Sequence, residues 1–227
     1  MKVIGLTGGI ASGKSTASAY LRELGAAIVD ADAISRASTR RGGAAFEAVC
    51  AAFDDILGAD GEIDRRKLGG IVFADEDARR KLNSIVHPAV MAESRAQIEN
   101  ARASGVKMCI LDVPLLFETG MERLCDETWL IYVPREEQVR RMAERDGLDA
   151  AAAAARIDSQ MPLEEKLKRA DVAIDSSGTI EQTQEKLRRN HAYMDEDDYG
   201  SVPPPEDFHL EIEYNDPEHA TFYGAEL

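Results

Sequence analysis

The stretch that most restricts the fold lies near the start of the chain: Gly8-Gly9-Ile10-Ala11-Ser12-Gly13-Lys14-Ser15-Thr16. It satisfies G-x-x-x-x-G-K-[ST], follows the apolar run Lys2–Leu6 and opens the helical pattern Ala17–Leu24. The chemistry needs that context. Glycines let the backbone curl until its N–H groups face phosphate oxygens, and the helix that follows adds the partial positive charge of its N-terminus. A lysine at this position reaches the β- and γ-phosphates of a nucleotide, and the next hydroxyl ligates magnesium. All nine residues are therefore candidate nucleotide-binding positions. Lys14 is also a catalytic candidate, and Ser15 a candidate metal ligand.

Such a loop belongs at the carboxyl end of a strand in a parallel sheet, and the rest of the chain supplies one. Four more short apolar runs follow at Ala26–Val29, Met108–Leu111, Thr128–Val133 and Asp171–Ile174. Each is nearly continuous in its apolar residues, as expected of parallel strands covered on both faces. Helical stretches separate them. The pattern predicts an α/β fold, a three-layer phosphate-loop architecture around a five-stranded parallel sheet.

The connections are uneven in length. Residues 33–105, between the second and third strands, far exceed one crossover. They carry helical signals at Phe46–Phe53, from Asp64, and along a long amphipathic stretch from Asp75 that His87-Pro88 is predicted to interrupt. This predicts a helical substrate-binding insertion. A second insertion, residues 135–168, is rich in Arg and Ala and stands where a closing lid would be placed.

Composition narrows the class. With 44% hydrophobic and 30% charged residues, the chain reads as soluble and globular. It has no run of eighteen apolar residues and no signal-peptide core, so a cytoplasmic location without membrane association is expected. Cys50, Cys109 and Cys125 show no CxxC pairing and read as structural thiols. The net charge of -15 is unevenly distributed: eleven of the 42 acidic residues and none of the 27 Lys and Arg lie from His191 onward. The first 190 residues thus hold 31 acids against 27 bases. A nearly neutral body can present a basic cleft to an anionic substrate, whereas the chain as a whole would repel nucleic acid. Residues 194–227, with Pro203-Pro204-Pro205, read as an acidic, partly disordered extension; within it His209–Tyr214 alternates like a strand able to dock on the body or a partner.

Further carboxylates and cations stand where phosphoryl transfer needs them. The second strand ends in Val29-Asp30-Ala31-Asp32. A kinase acting on an alcohol needs a carboxylate to orient the hydroxyl and accept its proton, and Asp32 is the candidate. If the strand continues, Asp30 and Asp32 project to opposite sides and only one faces the phosphates; the other reading of either is the N-cap of a helix from Ala33. Arg36, one turn beyond Asp32, would hold an acceptor phosphate or lie solvated. Asp112 ends the third strand and is a magnesium ligand or a structural carboxylate. Arg141 and Arg145 share a helical face and either neutralise the transferring phosphoryl group or form a solvated face, with Arg140 and Arg156 nearby. The chain has no N-K-x-D guanine-reading tetrapeptide and no L-S-G-G-Q-type signature, which favours a small-molecule kinase over a GTPase or transport ATPase.

Taken in order, GLTGGIASGKST, VDAD with an arginine four residues on, IVHP, DVPLLFETG, QVRRMAERDG and SQMPLEEKLKRADVAIDSSGT resemble the dephospho-CoA kinase family over residues 1–193. PLLFE and the ADxxIDxSG ending are more specific than the phosphate loop. The resemblance implies a nucleoside-monophosphate-kinase-like fold with a core, a CoA-binding insertion and a lid. It implies transfer of phosphate from ATP, with Mg2+, to the ribose 3′-hydroxyl of dephospho-CoA, giving CoA and ADP. By position, Asp32 matches the family's catalytic aspartate, Lys14 its loop lysine and Arg141 a lid arginine at the ATP phosphates. Arg36, His87 and Pro88 match acceptor-side positions; read alone, His87 is a core or capping histidine. Members commonly end soon after the last helix, so the acidic extension departs from the pattern. Two other functions fit the loop: a kinase of the same fold acting on a nucleoside or nucleoside monophosphate, and a nucleotide-binding regulatory protein using its tail for interaction.

Overall fold

Lys2–Gly8 (β1) buries Val3, Ile4 and Leu6 almost completely, so consecutive side chains of one strand are covered on both faces. In the computed structural model, which describes residues 1–193, β1 is the middle strand of a five-stranded sheet. After it come α1 (Lys14–Glu23), β2 (Ala27–Asp30), α2 (Ala31–Ser38), α3 (Phe46–Ala52), α4 (Arg65–Ala74) and α5 (Glu76–Ala103). The chain continues through β3 (Met108–Asp112), α6 (Leu116–Thr119), β4 (Glu127–Tyr132), α7 (Arg135–Asp146), α8 (Ala150–Asp158), α9 (Leu163–Arg169), β5 (Val172–Asp175) and α10 (Ile180–Tyr193). The strand order is β2-β3-β1-β4-β5, every pair parallel, with β1 hydrogen-bonded to β3 and β4. The loop after β1 therefore leaves from the centre of the sheet's carboxyl edge.

The alternation of β side chains makes two cores. Val3, Val29 and Leu111 pack on one face with Ile34, Phe46, Val49, Val90 and Ile98 of α2, α3 and α5. Ile4, Leu6, Ile110, Trp129 and Ile131 pack on the other with Ala17 and Leu21 of α1 and Leu187 of α10. At roughly 1.5–3 kcal/mol per large apolar side chain, these layers supply most of the drive for folding. The amino edge of the sheet is fastened by acids: Asp126 accepts from the Val3 N–H (2.8 Å), and Asp171 from the N–H (2.8 Å) and hydroxyl (2.7 Å) of Thr128.

One local expectation fails and one open alternative closes, each for a physical reason. The 28-residue α5 runs through His87 and Pro88 without a break. Proline removes one helical hydrogen bond, but the buried stripe Val86, Val90, Ser94, Ile98 holds both sides of it in one line against the insertion and the sheet. Second, α2 begins at Ala31, because Asp30 accepts from the Ala33 N–H (2.8 Å) and caps the helix. The strand thus ends at Asp30, and Asp32 stands in the first helical turn instead of on a continuing strand. Among the described residues no helix is long and apolar enough to cross a membrane. The acidic extension from residue 194, including the strand-like His209–Tyr214, lies outside the described residues.

Candidate active site

The loop after β1 turns through two residues of positive φ, Ala11 (60°) and Gly13 (85°), and Gly13 opens α1 with no side-chain cap. The first-turn N–H groups of α1 are thereby left to face the cleft, as anion binding requires. Gly8 is needed for proximity, since a Cβ there would lie 2.7 Å from the Ile131 carbonyl oxygen; one on Gly9 would lie 2.5 Å from the Gln138 amide nitrogen and would displace that side chain from the loop.

Side chains from distant segments hold the loop in this shape. Gln138 Nε2 donates to the Ile10 carbonyl (2.8 Å), and the Ile10 N–H donates to Gln160 Oε1 (3.2 Å). Arg141 donates through Nη1 to the Ala11 carbonyl (3.3 Å), through Nη2 to the Ser176 carbonyl (2.7 Å) and through Nε to Glu137 (2.7 Å). The Ser176 hydroxyl donates to the Ser12 carbonyl (2.5 Å). Arg140 and Arg141 together hold the Glu137 carboxyl down to about 2. The result is a cleft of about 560 Å³ lined by the loop from Gly8 to Ser15, by Pro114 and Gln160, and by Arg141, Glu144 and Arg145.

Lys14 and Asp112 meet at this site, Lys14 Nζ bonding Asp112 Oδ1 with both side chains mostly buried. Asp32 is within electrostatic reach of both. Asp32 as a residue is exposed, but partial desolvation of its carboxyl raises its pKa above the ordinary carboxylate value, the charges of Asp30 and Asp112 add to the rise, and Lys14 and Arg36 oppose it. Arg36 is exposed, its guanidinium 4.0 Å from Asp30, while its carbonyl accepts from Arg65 (3.1 Å). His87 is half-buried and Pro88 exposed, midway along α5, which packs on α2. None of Asp32, Arg36, His87 and Pro88 lines the nucleotide-sized cleft, and Thr16 lies beyond it, exposed on α1.

The arginines divide. Only Arg141 reaches the loop. Arg145 lines the cleft with its guanidinium turned to Asp146 (2.8 Å), Arg140 is held by Glu137 and Glu144 (both 2.6 Å), and Arg156 stands 3.9 Å from Asp146. Gln138, Gln160, Ser176 and Glu137 escaped the sequence reading. Their contacts with the loop and with Arg141 depend on the fold, and no local spacing announces them.

A sequence model of the dephospho-CoA kinase family matches residues 2–182. A curated dephospho-CoA kinase from Carboxydothermus hydrogenoformans is 52% identical over 188 residues, which is 82% of this chain and 91% of that one. One from Geobacillus kaustophilus is 51% identical over 185 residues, 81% and 92% of the two chains. Among solved structures, TT1252 from Thermus thermophilus superposes with a TM-score of 0.71 at 36% identity, covering 84% of this chain and 96% of that one. A dephospho-CoA kinase from Campylobacter jejuni superposes with a TM-score of 0.66 at 30% identity, covering 85% and 96%.

Proposed function

The chain belongs to the dephospho-CoA kinase family, and from that premise we propose that it transfers the γ-phosphoryl group of ATP to the ribose 3′-hydroxyl of dephospho-CoA, giving CoA and ADP. The observation that carries the reading is the meeting of a phosphate loop, its lysine and Asp112 at the carboxyl edge of the sheet, with Asp32 in electrostatic reach of both. In this account residues 1–193 are the kinase domain, residues 33–105 bind the acceptor and residues 135–168 act as a lid.

Asp32 orients the 3′-hydroxyl and takes its proton as the oxygen attacks phosphorus; a raised pKa makes it a better base than an ordinary carboxylate. Loop N–H groups from Gly8 to Ser15 hold the phosphates. Lys14 and Arg141 meet the charge that spreads over the transferring group, and Arg145 joins them on leaving Asp146. Arg36, His87 and Pro88 receive the acceptor. The donor set fits magnesium: Ser15 hydroxyl and Asp112 carboxylate are hard oxygens beside the phosphate loop. Among the described residues no group of three acidic, His or Cys side chains forms a metal cage, so substrate phosphates and water would complete its shell. Bound there, Mg2+ would neutralise phosphate charge, and Lys14, released from Asp112, would turn to the phosphates.

The test is ADP release with ATP, Mg2+ and dephospho-CoA, followed by mass spectrometry of the product. Gain of one phosphate on dephospho-CoA is expected. Preference for a nucleoside or nucleoside monophosphate, or nucleotide binding with no transfer, would overturn the reading.

A further inference from the structure

Lys166 is 1% exposed, although its helical neighbour Lys168 is largely solvated. An ammonium group is not buried without compensation, so its surroundings show what holds it there. Its Nζ lies 3.0 Å from Glu118 Oε1 and donates to the Pro114 carbonyl (3.4 Å). The same Glu118 oxygen accepts the N–H of Met161 (3.1 Å), and the same Pro114 carbonyl accepts the hydroxyl of Thr7 (3.0 Å). Thr7 precedes Gly8, Pro114 lines the cleft, and Met161 follows Gln160, whose side chain takes the Ile10 N–H. One ammonium thus ties together the end of β1, the exit of β3 and the turn between α8 and α9.

From this linkage we propose that Lys166 and Glu118 are positioning residues for the nucleotide site, acting through Gln160. Lys166 fixes the Glu118 carboxylate, the carboxylate fixes the Met161 peptide, and that peptide presents Gln160 to Ile10. With Gln138 on the Ile10 carbonyl, both polar atoms of Ile10 are then held from outside, and the loop keeps the curvature that aims its later N–H groups at phosphate. Neither Lys166 nor Glu118 touches substrate in this account. The inference rests on the cleft being the nucleotide site.

The experiment compares Lys166→Met, Gln160→Ala and the double variant, reading ADP affinity by calorimetry without acceptor alongside steady-state kinetics. Methionine fills the stem of Lys166, and Glu118, with 21% of its side chain exposed, can turn to water, so the variant keeps its fold. Should it not, Glu118→Leu combined with Lys166→Met removes both charges and keeps the measurement possible. Each single variant should bind ADP up to about tenfold more weakly, the upper end of the effect of losing the one hydrogen bond from Gln160 to the loop, directly or through its support. KM for ATP should rise accordingly, with kcat and KM for dephospho-CoA near wild-type values. The double variant should be no weaker than Gln160→Ala alone, because the two act in series. Additive losses, unchanged ADP affinity in Lys166→Met, or equal effects on both substrates would overturn the proposal. Wild-type protein that leaves dephospho-CoA unphosphorylated while these ADP effects appear would overturn the assigned reaction and leave the positioning role standing.

Discussion

On one side of the reaction centre the carbonyls of Ile10, Ala11 and Ser12 each receive a donor from a distant segment: Gln138, Arg141 and Ser176. On the other side Asp32 and Arg36 stand exposed on α2, and the guanidinium of Arg36 comes only within 4.0 Å of a carboxylate. The phosphate loop is braced at three successive carbonyls, whereas the side given to the acceptor in the proposed function stands open to solvent. A preformed anion site loses little order on binding, while an open acceptor side lets closure depend on the second substrate. The contrast predicts that changes on the two sides separate cleanly in kinetics.

The largest effect should come from the acceptor side. Asp32→Asn should lower kcat by about 10²–10⁴-fold, the usual range for losing a general base, with ATP affinity near wild type. A parallel fall in ATP affinity, measured by calorimetry, would assign Asp32 to the nucleotide side and break the division. The two sides should also titrate apart. In the proposed role Asp32 must be ionised, and its pKa is raised, so kcat should fall about tenfold per pH unit once the pH drops below that raised value. Glu137, held down to about 2, stays ionised through the same range and keeps Arg141 aimed at the loop. A pH profile of kcat with an acid limb at or below the ordinary carboxylate value would contradict the role of Asp32. Arg36→Met should raise KM for dephospho-CoA about tenfold and leave KM for ATP unchanged, which sharpens the boundary between the sides. The smallest effect is expected from Ser176→Ala. Loss of its bonds to the Ser12 and Tyr132 carbonyls should raise KM for ATP about two- to fivefold, with KM for dephospho-CoA unaffected.

The same division explains what could be read from the amino-acid order. Gly8 to Thr16 is a contiguous pattern tied to strand and helix, so the phosphate loop was legible with its fold context. Five short, nearly continuous apolar runs separated by helical stretches pointed to the parallel sheet, since strands covered on both faces read that way. The braces Gln138, Gln160 and Ser176 lie more than a hundred residues from the atoms they hold, and isolated polar side chains carry no periodic signal. Lys166 was hidden in the basic run LEEKLKR, where composition suggests a solvated face and tertiary packing decides otherwise. His87-Pro88 misled for a related reason: local propensity argues for a break, and the buried stripe of α5 overrides it. Asp30 as cap and Asp32 in the first turn follow from where β2 stops, a boundary that residue preference alone does not fix.

The central position of β1 also bears on how the chain emerges from the ribosome. Its neighbours are β3, whose Met108 pairs with Lys2, and β4, whose Glu127 pairs with Ile4. At roughly 5–20 residues per second, the central strand of the sheet waits about 5–20 s for its first partner. During that interval the amino-terminal hydrophobic run has no sheet to join, so nascent chains stalled before Met108 should be held by chaperones or aggregate, and chains released after Tyr132 should begin to protect β1 from proteases.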